Sequence, residues 1–155
     1  MLTKAWLTWR DRDAALLIVE QFESAFLIKN LEKLASDLNG GGGIPKLFLR
    51  VASESPSALP KLRKCDGITY AYVCARLSTP ITLMEAKSLL NDYSDDSRLG
   101  ILVWCLGKFG YWNLLVDLSE KVEEIDKKQQ RKQYERLGFS PEVMRSLTDG
   151  DFNGA

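Results

Sequence analysis

The side chains best placed for chemistry are carboxylates, and their spacing is informative. Asp92, Asp95 and Asp96 crowd one polar stretch and invite comparison with a cation site. A calcium loop needs oxygen ligands at alternate positions and a distant glutamate, and this run has neither. The triplet is therefore expected to be a solvated loop that caps the following helix. Asp149-Gly150-Asp151 reads in the same way as a turn. The chain has no histidine and only three cysteines, Cys65, Cys74 and Cys105. Ser-His-Asp and Cys-His nucleophilic sites are thereby excluded, as are the usual zinc ligand sets. No carboxylate pair sits in an evidently apolar setting that would tune it for acid–base work. The expectation is a protein without catalytic residues, bound metal or cofactor.

Two further constellations bear on binding. Lys127, Lys128, Arg131, Lys132 and Arg136 give a basic end to the last long helix, which suits phosphate backbones or an acidic surface. Glu123, Glu124, Asp126 and Glu135 dilute that field, and a solvated helix end explains the same residues. Aromatics gather at Trp6 and Trp9, at Tyr70 and Tyr72, and from Trp104 to Trp112. Most are expected in the core, where large rings contribute most. Trp6 and Trp9 stand apart as candidate anchors into a partner's pocket.

Length and charge bound the rest. The 155 residues are enough for one domain with a real core. Apolar residues make up 45% of the chain, which excludes wholesale disorder. Lys+Arg and Asp+Glu both number 21, so no whole-domain attraction for nucleic acid exists. The odd, unpatterned cysteines point to a reducing intracellular compartment, cytoplasmic or nuclear. Charges at Lys4, Arg10, Asp11, Arg12 and Asp13 interrupt any apolar region there, so no secretory signal is expected. Leu99 to Val116 is just long enough to cross a bilayer, but Gly107, Lys108 and Gly110 fall in its middle. Two helices meeting at a turn are expected there, and membrane association is not.

The elements that would position these residues read as helices. Ala15, Ile18, Phe22, Ala25, Ile28, Leu31, Ala35 and Leu38 recur at spacings of three and four and make one stripe. Residues 1–39 are accordingly expected to be one long amphipathic helix, or a short helix followed by a long one. Gly40 to Gly43 is a run of maximal backbone freedom, either a loop or a linker joining a tethered partner segment to a domain over 44–147. Pro56 and Pro60 are expected to break the helix that starts at Pro45, leaving Lys61, Arg63 and Lys64 in a basic turn. Ile68 to Leu77 alternates like a strand yet also fits a helix; with no strand to pair with, it is assigned to a helix. Thr82-Leu83-Met84-Glu85 has the form of a capping box, and residues 148–155 read as a frayed tail.

The fold expected is all-α, a compact bundle of about six or seven helices with the N-terminal helix packed in a groove of the remainder. The function expected is a protein-interaction module or adaptor that receives an amphipathic helix in a hydrophobic groove. Trp6, Trp9, Ile18, Phe22, Ala25, Ile28 and Leu31 would act on the helix side, and Leu102, Trp104, Leu115 and Leu118 on the groove side. A nucleic-acid-associated protein using the basic helix end is the alternative.

Overall fold

The computed structural model describes residues 2–38, 43–115 and 136–139. Among them the chain is helical, with nine α-helices, two short 3-10 turns and no strand. The region before the glycine run is four helices rather than one long one: α1 (Leu2–Trp9), α2 (Arg12–Gln21), α3 (Ser24–Lys29) and α4 (Leu31–Leu38). Each break has a local cause. Arg10 adopts a left-handed backbone with φ 52°, and Asp11 then caps α2 by accepting from the Asp13 N–H at 3.0 Å. Phe22 and Glu23 are extended, which ends α2 and restarts the chain as α3. Asn30 closes α3 by donating its side-chain amide to the Phe26 carbonyl at 3.0 Å, and α4 starts at the next residue. These turns let one apolar stripe fold back on itself, so Leu27, Leu31, Leu34 and Leu38 are buried together with Ile18.

The chain continues with α5 (Ile44–Glu54), α6 (Leu59–Cys65), α7 (Gly67–Arg76), α8 (Leu83–Asp92) and α9 (Leu99–Lys108). Pro45 lies in the first turn of α5, where a missing N–H costs nothing. Pro56 opens a 3-10 turn, and Pro60 lies in the first turn of α6. Proline therefore starts α6, and Lys61, Arg63 and Lys64 stand on a helix rather than in a turn. Ile68 to Arg76 is helical, as expected, and its alternating pattern has a simple origin. Every residue of α7 from Gly67 to Cys74 is buried, so no polar face marks a helical period. Next to it, α9 is buried from Leu99 to Gly107. It ends at Lys108, and Gly110 turns the chain with φ 84°. Among the described residues no helix is long and apolar enough to cross a membrane.

Helices α2, α3 and α4 pack on α5, α5 packs on α7, and α6 and α9 flank α7. Residues on both sides of the glycine run thus share one core. A Cβ on Gly43 would lie 2.7 Å from a Leu38 methyl, so the chain enters α5 close against α4. Arg50 of α5 donates to the Val19 carbonyl of α2 and ties the same two regions.

Two polar clamps fix the ends. Trp6 is fully buried; its indole N–H donates to Asp37 Oδ2 at 2.6 Å, and Arg10 grips the same carboxylate through Nε at 2.7 Å and Nη2 at 2.8 Å. The Arg10 hydrogen bond holds the Asp37 carboxyl below its ordinary pKa, reinforced by the Trp6 N–H. At the start of α9, Arg98 bridges Asp66 at 2.7 Å and Asp96 at 3.1 Å, and Thr69 donates to Asp66 at 2.6 Å. Burial would raise the Asp96 carboxyl, but the Arg98 hydrogen bonds outweigh it and keep it lowered.

Candidate functional site

The direction of α7 and α9 decides which surface residues come together. Asp66, just before α7, meets Arg98, just before α9. Midway, the Tyr72 and Trp104 rings lie 6.3 Å apart. Past both helices, the Tyr111 hydroxyl donates to the Ile81 carbonyl. The two helices therefore run parallel, and their C-terminal ends share one end of the molecule. Helix α8 returns antiparallel, since Tyr93, beyond its C-terminus, accepts from the Gly67 N–H at 2.8 Å. Its N-terminus consequently lies at the same end as the C-termini of α7 and α9.

That end carries exposed apolar side chains, with Arg76 and Lys108 exposed beside them. Leu77 follows α7, Leu83 and Met84 begin α8, and Trp112 follows α9; all four are exposed, Met84 to 81% and Leu83 to 47%. Among the described residues only Leu7 and Leu17 are comparably exposed large apolar side chains. Local structure accounts for each placement. Ser78 takes a left-handed φ of 54°, and the Thr79 N–H bonds to the Cys74 carbonyl, which turns Leu77 off the end of α7. Thr82 caps α8 by accepting from the Glu85 N–H at 3.1 Å, so Leu83 and Met84 occupy the first turn. The reciprocal bond from the Thr82 N–H to the Glu85 side chain is not made. Trp112 lies across Gly107, where a Cβ would come within 2.7 Å of its ring.

The sequence-derived interface is distributed differently. Trp6 is a core residue hydrogen-bonded to Asp37 and not an exposed anchor, because its indole N–H finds an internal acceptor. Trp9 is the last residue of α1. Ile18 and Leu31 are buried, Phe22 and Ile28 pack against the core at its edge, and Ala25 is exposed. Leu102, Trp104 and Leu115 are buried as well, but α9 packs chiefly on α7 while α2 and α4 pack on α5. The two expected halves of an interface are thus separated by α5 and α7. Leu118, Lys127, Lys128, Arg131 and Lys132 lie outside the described residues, as does the tail; Arg136 is exposed.

Met84 carried a signal in the sequence, as an apolar residue off the Ala86–Leu89 stripe of its helix. Leu83 carried the opposite one, since it lines up with Ala86 and Leu90 yet stays exposed at the helix end.

Groups suited to covalent chemistry are muted. Cys74 and Cys105 are buried. Burial pushes the Cys74 thiol up to about 11, with Glu85 adding to the effect. Burial likewise raises Cys65 to about 11, helped by Asp66 and Glu32, so all but a trace is thiol at neutral pH. Among the described residues no cluster of carboxylates and cysteines is arranged to hold a metal ion. Asp96 accepts from the Arg98 N–H at 2.8 Å, and Asp92 pairs with Arg63 at 3.1 Å. Comparison with protein-family models, curated protein sequences and solved structures returns no match.

Proposed function

We propose that this chain is a protein-interaction module that takes the apolar face of a partner's amphipathic helix. One observation carries the reading: Leu77, Leu83, Met84 and Trp112 are all exposed, and they stand at the end of the molecule where α7 and α9 finish and α8 begins. Exposing four large apolar side chains together costs solubility, and such patches mark docking surfaces more often than scattered ones do. A methionine and a tryptophan among them suit an adaptable contact with a helix presenting anchors at i, i+3, i+4 and i+7. Within the chain, α2, α3 and α4 already lie with their apolar faces on α5.

The test uses the whole chain to select from a displayed library of amphipathic helical peptides, alongside Leu83→Asp and Met84→Asp. Both positions are exposed in the first turn of α8, where an added carboxylate favours the helix dipole, so the fold is retained. Selected helices should bind the original chain at least about tenfold more tightly than either variant, as loss of a central apolar anchor implies. Their affinity should change little with salt. Peptides that bind all three proteins equally would refute the reading. Steep weakening in salt would favour the nucleic-acid alternative.

A further inference from the structure

We infer a second binding site, distinct from the apolar end: a pocket for a small ligand bearing several phosphate groups, formed where the α3–α4 corner faces α6. The pocket encloses about 490 Å³. Lys29 and Lys33 come from the corner, and Lys61 and Lys64 from α6. On α6 a spacing of three places Lys61 and Lys64 on one face. The first turn of α4 contributes to the same wall, and its N–H groups lack intrahelical acceptors.

The charge imbalance is local. The chain is neutral overall, yet four ammonium groups line this concavity against one carboxylate, that of Glu32. All four lysines are exposed, and none forms a salt bridge among the described residues. The reason lies in how the nearby carboxylates are used. Asp37 is held by Arg10, Asp66 by Arg98 and Asp92 by Arg63. Arginines hold these three acids, which leaves Glu32 as the one carboxylate lining the pocket against four lysines. Flexible ammonium groups converging on a pocket from two elements suit a polyanion whose charges are spread over several oxygens. Residues Ile28 and Leu31 give part of the wall an apolar surface, which a compact organic phosphate can cover.

Tripolyphosphate serves as the probe, titrated at low salt into the isotope-labelled full chain and followed by backbone amide shifts. Saturable shifts should centre on Lys29, Lys33, Lys61 and Lys64. Lys61→Glu and Lys33→Glu should each weaken binding about tenfold or more, the worth of one contact to a charged group. Lys46→Glu, an exposed lysine of α5 outside the pocket, should leave affinity within about twofold because salt screens distant charges. Any of three results would overturn the inference. One is the absence of saturable shifts at millimolar probe. Another is equal weakening by Lys46→Glu, which would indicate diffuse surface charge. The last is tighter binding of single-stranded oligonucleotides with affinity rising with length, which would make the face a nucleic-acid surface.

Discussion

Replacing Trp6 by phenylalanine separates a structural tryptophan from a partner-facing one. The side chain is fully buried, its N–H donates to Asp37 at 2.6 Å, and its ring meets Phe26 edge-on at 6.3 Å between centroids. Losing a hydrogen bond to a charged acceptor costs about 1.5–3 kcal/mol when no replacement is at hand. Asp37 keeps both contacts from Arg10, which places the cost toward the lower end. The smaller ring also leaves a void and weakens the edge-on contact, adding about 1 kcal/mol. The expected total is about 2–3 kcal/mol, which lowers the melting temperature by roughly 5–10 °C for a chain of this size. Urea unfolding followed by circular dichroism measures it, and a cycle with Asp37→Asn isolates the pair, whose coupling should be about 1.5 kcal/mol. A cost below about 0.5 kcal/mol, or zero coupling, would refute this placement of α1 against α4 and restore Trp6 as a candidate anchor.

Gly67→Ala should destabilise the fold by about 1–3 kcal/mol in the same assay, because a Cβ there would lie 2.6 Å from the Tyr93 ring and 2.8 Å from a Leu89 methyl. An unchanged midpoint would show that Tyr93 does not close over the start of α7. Arg98→Met should cost about 2 kcal/mol at neutral pH by stranding Asp66 and Asp96. The Asp96 carboxyl lies below its ordinary 3.8 in the folded protein, so its stabilisation is complete above that value and fades as pH falls through the lowered one. The variant should therefore unfold at a higher pH during acid titration, with its stability deficit narrowing below pH 3.8; a deficit constant across that range would contradict the assignment.

The sequence's period was sufficient to identify helices and insufficient to say where they stop. The apolar stripe from Ala15 to Leu38 has helical spacing throughout, and it survives two interruptions because the chain turns at Phe22 and Asn30 without losing register with the core. Neither residue is a strong breaker. Extended backbone at Phe22 and Glu23 ends α2, and the Asn30 amide bond to the Phe26 carbonyl closes α3, so that α2, α3 and α4 each pack on α5. Proline misled in the opposite sense. At Pro60 it sits in the first turn of a helix, and only the neighbours decide whether proline begins or breaks one.

The sites were hidden for different reasons. Hydrophobic periodicity ranks residues by how well they fit a buried stripe, so it nominated Ile18, Leu31, Leu102 and Trp104, all of which the core consumes. The proposed surface is made from what the core leaves over, and Met84, off the stripe of its own helix, is exposed there. The lysine pocket has no linear signature at all. Lys29 and Lys33 are separated in sequence from Lys61 and Lys64, and each pair reads as an ordinary solvated face. Their convergence depends on the Asn30 corner facing α6, and their unneutralised charge depends on arginines claiming Asp37, Asp66 and Asp92. In a chain of zero net charge, arginine takes Asp37, Asp66 and Asp92, while Lys29, Lys33, Lys61 and Lys64 form no salt bridge among the described residues.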